Sequence, residues 1–531
     1  MNKPNVILIM VDDMGYSDIG CYGSEIRTPN VDRLASEGVR FTQMYNCARC
    51  CPSRASLLTG LYPHQAGIGH MVNDLGDPAY QGYLNDGCLT IAEALGAAGY
   101  RTLMSGKWHI GGNYKVGKPW SWYPGEPGFP TPLGRGFQRY YGSLEGCGSY
   151  YRPHTLIHQD QLIDVDVEEQ FYYTDAISDE AERLIREFAP VEGESENDPF
   201  FLYVAYTAPH WPLHALPQDI VRYKGWYRNG WDRLRKDRYD RMVELGIIDR
   251  KCRISPRDDQ APCWDEVPNK EWEDHRMAVY AAQVDRMDQG VGRILRALRE
   301  IGAEENTLVL FLSDNGGCAE FLKEDGPVQD LVYPTRKGEI VHAGNIPGVM
   351  PGGEETYMSY GLPWANASNT PFRLFKHWVH EGGISTPFIA RWPKFANSSR
   401  IVHNPVHVVD IMATILDATG VSYPSEHNGR AIRTLEGESF LPGLRGEAWQ
   451  RQAPIYWEHE GNCAMRLGDW KLVKKYPGPW ELYNLEQDRT ELDDLIEGEK
   501  RRAREMIGEW ESWALRCGVI PWQRLIDIAP W

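Results

Sequence analysis

Two acidic pairs and one cysteine-led segment are the residues of this chain best suited to chemistry. Asp12-Asp13 and Asp314-Asn315 each follow an apolar run and together supply three carboxylates and one amide. Such hard oxygen donors suit Ca²⁺ or Mg²⁺ better than Zn²⁺. Neighbouring side chains on a strand point to opposite faces, so both members of a pair reach one ion only if the strand ends there in a turn. Gly15 and Gly316-Gly317 permit such turns. An acidic pair also serves simply to end a strand or cap a helix, and neither pair alone separates the two uses. The segment Cys50-Cys51-Pro52-Ser53-Arg54-Ala55-Ser56-Leu57-Leu58-Thr59-Gly60 reads as a helix start. Pro52 falls in its first turn, where a missing N–H costs little. Cys50 then sits near unpaired backbone N–H groups at the positive end of the dipole, and Arg54, four residues on, lies over the same face. The plainer reading of a free cysteine is a buried, inert thiol.

The surrounding pattern alternates strands and helices. Asn5–Val11 is a continuous apolar run and reads as a fully buried strand. Asn30 can cap a helix over Val31–Glu37, with Gly38 just past its end. Pro52–Leu58 and Thr90–Ala98 read as helices, and Arg101–Met104, Pro199–Ala205 and Thr307–Leu312 as strands. Ala278–Leu298 carries Tyr280, Val284, Met287, Val291, Ile294 and Leu298 at helical spacing. The alternation predicts an α/β domain with a largely parallel sheet. In open α/β sheets ligands bind beyond the carboxyl ends of strands, where both acidic pairs fall. Asn113–Pro132 reads as a long loop, and Asp219–His275, charged and aromatic, as an irregular insertion. Near residue 445 the character changes. Pro454–Glu458, Trp470–Lys474 and Trp480–Asn484 read as short antiparallel strands and Glu497–Trp513 as a closing helix. The expected division is a catalytic domain over 1–445 and a small C-terminal α+β unit over 446–531.

The chain has 531 residues, of which 42% are hydrophobic and 24% charged, as in an ordinary globular enzyme. A net charge of −18 argues against a nucleic-acid partner, and an anionic substrate would need a local cationic pocket. The 11 cysteines are scattered and odd in number, unlike a disulfide scaffold. The run Val6–Val11 is too short to span a bilayer and no cleavage site follows it. A cytoplasmic protein without a membrane partner is the simplest expectation; a secreted or periplasmic chain already freed of its leader would read the same.

The run Cys50-x-Pro52-Ser53-Arg54, followed by Leu57-Leu58-Thr59-Gly60, resembles the signature of the type I, formylglycine-dependent sulfatases. Further blocks of that family are matched in order: Asn5–Gly15, Gly106-Lys107-Trp108-His109, Ala208-Pro209-His210-Trp211-Pro212, Ser313-Asp314-Asn315-Gly316 and Lys376-x-x-x-x-Glu381-Gly382-Gly383. The chain looks most similar to bacterial arylsulfatases. The resemblance implies an alkaline-phosphatase-like α/β sandwich: a large, mostly parallel sheet flanked by helices, with a small C-terminal antiparallel sheet and helix. It implies that a formylglycine-generating enzyme oxidises Cys50, not Cys51, to formylglycine (3-oxoalanine). It implies a Ca²⁺ ion, or less readily Mg²⁺, held by Asp12, Asp13, Asp314 and Asn315 with residue 50 beside it. Arg54, Lys107, His109, His210 and Lys376 would complete the catalytic set. Lys107 and His109, two apart on an extended segment, aim the same way; one would neutralise sulfate while His109 acts as base, and His210 or Lys376 would protonate the leaving oxygen. The implied activity is hydrolysis of aryl or small carbohydrate sulfates. Hydrolysis of phosphonate monoesters or phosphodiesters, known among relatives, is the alternative, and a non-catalytic sulfate-binding or glycan-binding protein with unmodified Cys50 is a third.

Departures from the family pattern are local. Gly383-Ile384-Ser385-Thr386 lacks a usual Arg after the paired Gly, and Asn462-Cys463-Ala464 replaces a usual Asn-Arg-Ala. Either change would alter packing or the leaving-group pocket. Cys51 could pair with Cys50 in unmodified protein. One of His377 and His380 could line the pocket, and His459 could reach it from the C-terminal unit. Asn366 and Asn397 fit the glycosylation pattern.

Overall fold

The computed structural model describes residues 3–113, 125, 126, 128–168, 170–188, 198–395 and 399–528. Most of the expected loop Asn113–Pro132, and Asn397, lie outside them. The main sheet is built around β1 (Asn5–Val11), β2 (Val39–Tyr45), β3 (Arg101–Gly106), β4 (Arg139–Ser143), β5 (Phe200–Ala205), β6 (Thr307–Ser313) and β7 (Ser385–Arg391). Their spatial order is β2-β7-β6-β1-β5-β3-β4, with short strands 400–402 and 406–407 beside β2 and 156–158 and 161–162 beyond β4. The five-strand core β6-β1-β5-β3-β4 is parallel. β7 runs antiparallel to both β6 and β2, so the sheet is mixed on one side.

β1 is central and buried on both faces. Ile7, Ile9 and Val11 enter one apolar core and Val6, Leu8 and Met10 the other, the period-2 division a pleated strand imposes. Helices α1 (Pro29–Ser36), α3 (Tyr173–Glu187), α4 (Gly230–Glu244) and α5 (Lys270–Glu300) cover the first face, and α2 (Cys50–Thr59) and α6 (Val409–Thr419) the second. The segment 219–275 is therefore not irregular: it contains α4 and the first turns of α5. The α4 sequence hides its inward face because Arg238 is on it, bonded to Asp18 Oδ1 at 2.6 Å and Glu25 Oε2 at 2.9 Å.

The C-terminal sheet is a four-strand antiparallel meander, β8 (Ile455–His459), β9 (Asn462–Leu467), β10 (Trp470–Lys474) and β11 (Trp480–Asn484). β9 was not expected. It is joined to β8 by the two-residue turn Glu460-Gly461, both at positive φ (50° and 78°), as a tight primed hairpin requires. Helix α7 (Lys500–Cys517) packs Ala503 and Met506 on Met465, Leu472 and Leu482 of this sheet. A fully buried ion-pair network pins the meander to the main sheet: Lys471 Nζ bonds Glu381 Oε1 at 2.9 Å and Glu491 Oε1 at 2.7 Å. Tyr45 and Ser385 hydroxyls donate to Glu381 Oε2. Among the described residues no helix is long and apolar enough to cross a membrane.

Candidate active site

Val11 and Ser313 are register partners at the ends of the parallel pair β1 and β6. The acidic pairs that follow them therefore emerge side by side. Asp13 takes φ +62°, a left-handed conformation that turns the chain, so both members of the first pair reach the same space. The Asp13 amide donates to Asp314 Oδ1 at 3.3 Å and Asn315 Nδ2 to Asp13 Oδ1 at 2.7 Å. The Met14 amide donates to Ser313 Oγ at 3.1 Å, locking the two turns together. Asp12 Oδ1 and Asn315 Oδ1 are buried and accept no hydrogen bond. Three carboxylates and an amide oxygen, two of the oxygens unpartnered, fit a hard divalent cation. Burial and the neighbouring Asp12 carboxylate push Asp314 up to about 8, a repulsion such a cation relieves.

The cationic set expected inside this acidic chain surrounds these oxygens. Arg54 Nη2 bonds Asp314 Oδ2 at 2.8 Å and lies 3.7 Å from Asp12 Oδ2. Lys107 Nζ is 2.5 Å from Asp12 Oδ2, and Lys376 Nζ 2.8 Å from Asp13 Oδ1. Burial opposes charging Lys376, but Asp13 and the acidic groups around it hold its pKa well above the ordinary lysine range. Lys107 and Trp108 continue beyond β3, and the Lys107, Trp108 and His109 amides donate to the Ala205, Ser143 and Leu144 carbonyls, but the chain is not extended through His109 as the sequence suggests. His109 takes φ +58° and its ring lies against Gly146, where an added Cβ would come within 2.2 Å of Cε1. Its Nε2 is 3.2 Å from Cys51 Sγ.

His210 follows β5 on the segment Thr207–Trp211. Its Nδ1–H donates to the Trp211 carbonyl at 2.6 Å, which leaves Nε2 as acceptor, 3.2 Å from Lys376 Nζ and 3.3 Å from Asp13 Oδ2. Burial pushes both His109 and His210 down to about 4. Cys50 is the first residue of α2, two residues before Pro52, and is buried in the lining of a cavity of about 690 Å³. A hydrogen bond from the Cys51 side chain, then Lys107, hold its thiol well below the usual range. All of the expected site residues are thus brought together at the carboxyl ends of β1, β3, β5 and β6, at the start of α2 and on the Lys376 loop.

Other expectations are revised. All of the cysteines are free, so Cys50 and Cys51 form no disulfide. His380 is buried against Glu481, 3.4 Å away, and His377 turns to Glu460 at 3.1 Å; neither lines the cavity. Ser385, where the usual Arg would stand, is buried and donates its hydroxyl to Glu381 Oε2 at 2.9 Å, and Cys463 is buried in β9, so both departures concern packing. Asn366 is buried and accepts from the Asp258 amide. The cavity wall itself was not anticipated. Arg49 bonds Glu320 at 2.9 Å, and the Trp211 indole donates to the same carboxylate at 2.9 Å. Glu145, pushed by burial to about 7, and Cys147 lie beside them. The outer wall is apolar, formed by Met71, Val72, Phe321, Leu322, Val328 and Leu331.

A family model described as Sulfatase matches residues 4–421, and one described as N-sulphoglucosamine sulphohydrolase, C-terminal, matches residues 372–509. An uncharacterized sulfatase of Schizosaccharomyces pombe is 34% identical over 544 residues, covering 98% of this chain and 94% of its own length. An arylsulfatase of Klebsiella aerogenes is 32% identical over 443 residues, covering 79% and 87%. The crystal structure of Ps i-CgsB in complex with k-i-k-neocarrahexaose superposes with a TM-score of 0.67 at 26% identity, covering 97% and 93% of the two chains.

Proposed function

The chain belongs to the sulfatase family and hydrolyses sulfate esters, and from that premise we propose that its substrates are aryl or alkyl sulfates and that residue 50, converted to formylglycine by a formylglycine-generating enzyme, supplies the nucleophile. The observation that carries the proposal is the cavity: Cys50, His109, His210 and Lys376 line it together with the apolar Met71, Val72, Phe321, Leu322, Val328 and Leu331. Phe321 is among these residues and is 57% exposed. An apolar leaving group buries this surface, whereas a polyhydroxylated sugar would have to turn its hydroxyls toward Arg49, Asn113, Glu145, Glu320 and Lys323, the polar members of the lining.

Asp12, Asp13, Asp314 and Asn315 would hold the divalent cation, and four protein ligands in one site favour Ca²⁺ over Mg²⁺, which dehydrates reluctantly and usually keeps several waters. When bound, the ion supplies Lewis-acid stabilisation of charge on the sulfate oxygens. Formylglycine at position 50, as its hydrate, would supply an oxygen nucleophile and a second hydroxyl through which sulfate could leave without attack by water on sulfur. The remaining work falls to this chain's own side chains. Arg54 and Lys107 neutralise the anionic sulfate in a buried pocket. The Lys376 ammonium donates to His210 Nε2 across 3.2 Å, so the proton for the departing oxygen originates on Lys376 and passes directly or through His210. His109 is neutral and, being supported by Gly146, presents a ring nitrogen as base toward residue 50.

Protein from a host able to make formylglycine should release the phenol from p-nitrophenyl sulfate far faster than from a p-nitrophenyl phosphodiester. Mass spectrometry of the Cys50 peptide should show the aldehyde, and Cys50→Ala should be inactive. Faster turnover of the phosphodiester, or an unmodified thiol in active protein, defeats the nucleophile assignment. Higher kcat/KM on sulfated monosaccharides than on aryl sulfates defeats the substrate assignment. Calcium should restore chelated enzyme better than magnesium.

A further inference from the structure

A second group of metal-ligating side chains lies where the C-terminal sheet meets the Lys376 loop. His459 closes β8, Glu460 opens the hairpin turn, and His377 follows Lys376 in the chain. His377 Nδ1 is 3.1 Å from Glu460 Oε2, and His459 Nε2 is 3.5 Å from Glu460 Oε1. One donor atom from each of the three lies within 4.8 Å of the other two. His459 is fully buried, and neither of its ring nitrogens has a hydrogen-bond partner. A buried imidazole with no hydrogen bond at either nitrogen is a costly arrangement that native structures seldom retain without a ligand.

We propose that His377, His459 and Glu460 form a site for a divalent transition metal, with Zn²⁺ the best match. Two imidazoles and one carboxylate are a borderline-soft donor set that suits zinc, in contrast to the all-oxygen set of the active site. Donor atoms around a tetrahedral zinc with bonds of about 2.0–2.1 Å stand roughly 3.3 Å apart, close to the 3.1 Å and 3.5 Å between the two carboxylate oxygens and their respective imidazoles. His70 Nε2 lies 2.8 Å from Glu460 Oε1, the outer hydrogen bond by which ligating carboxylates are oriented. Glu460 and His377 are partly exposed, which provides an entry path and an open fourth position. The His377 amide donates to the Ala48 carbonyl at 2.7 Å, two residues before Cys50. A metal here would fasten the β8–β9 turn to the segments that carry Lys376 and Cys50.

Co²⁺ reports such a site on the full-length protein with the active site saturated with Ca²⁺. One equivalent should give visible d–d absorption without the intense near-ultraviolet band of a cobalt–thiolate bond, and should raise Tm. Both signals should vanish in Glu460→Gln and in His377→Asn, each at a partly exposed position that the fold tolerates. Absence of uptake by the wild type, or absorption that persists in both variants, overturns the proposal. A thiolate band would assign the ion instead to Cys50, Cys51 and His109.

Discussion

Lys376 Nζ lies 3.2 Å from His210 Nε2, and both groups face the Asp13 carboxylate, the lysine at 2.8 Å and the imidazole at 3.3 Å. Because His210 Nδ1–H is committed to the Trp211 carbonyl, the pair has one mobile proton and the ammonium owns it. Lys376→Ala should therefore lower kcat by about 10²–10⁴-fold on an alkyl sulfate, the range general acid catalysis supplies. The loss should be much smaller on p-nitrophenyl sulfate, whose leaving group needs little protonation. Equal losses on both substrates would mean that the lysine only stabilises charge.

The pH profile follows from burial. His109 and His210 are held down to about 4, so both are neutral through the neutral range. The acid limb of kcat/KM should then fall near pH 4 to 5 and not near the ordinary histidine value of about 6.5. An inflection at 6.5 in the free enzyme would contradict a buried neutral His109.

Stability carries the same sign. On unfolding, His109, His210 and His214, the last also held at about 4 by burial, regain the ability to bind protons. Between about pH 6.5 and 4 these histidines bind more protons in the unfolded chain than in the folded one, so their contribution to stability falls as pH falls through that window, while Glu145 and Asp314, raised by burial, act in the opposite sense. Thermal melts at pH 7.5, 6.0 and 5.0 should show the Tm advantage of wild type over His214→Gln shrinking below pH 6.5; an advantage that stays constant down to pH 5 counts against neutral burial.

Gly146 is the support on which the His109 ring rests, since a Cβ there would meet Cε1 at 2.2 Å. Gly146→Ala should leave Tm within a few degrees of wild type, because the residue is in a partly exposed loop. It should reduce kcat by more than tenfold through displacement of the ring. Full activity would remove His109 from the proposed base role.

The Glu381–Lys471–Glu491 network is structural. Glu381→Ala leaves Lys471 buried with one partner and takes the acceptor from Tyr45 and Ser385. Breaking a buried pair in this way costs about 3–5 kcal/mol. Denaturant melts of Glu381→Ala should show a loss of that size, and a replacement that kept Tm unchanged would mean the network is dispensable.

The site was largely readable in the sequence because its residues come in short blocks at strand ends. Asp12-Asp13, Lys107-x-His109, His210 and Asp314-Asn315 each lie within five residues of an apolar run, and the α/β rule sends all such ends to one edge. What was missed depends on pairing between distant segments. β7 and β2 run antiparallel to their neighbours in places, and nothing local in Ser385–Arg391 states its direction. The amphipathic signal of α3 was present in Ile177, Ala181, Leu184 and Ile185 and was not used. α4 was obscured because a buried Arg238, satisfied by Asp18 and Glu25, sits where the pattern expects an apolar residue. Glu145, Cys147, Trp211 and Glu320 come from loops whose approach to one another no spacing encodes.

The match of Val11 with Ser313 has a wider consequence. β1 is clamped by apolar neighbours on both faces, so its register cannot slip by one residue without turning each of its core side chains to the wrong face. The two metal-facing turns inherit that register. Assembly of the reactive centre is thus completed by the same event that closes the hydrophobic layers, and no well-packed form of the protein exists in which sliding either strand would leave the chemistry switched off.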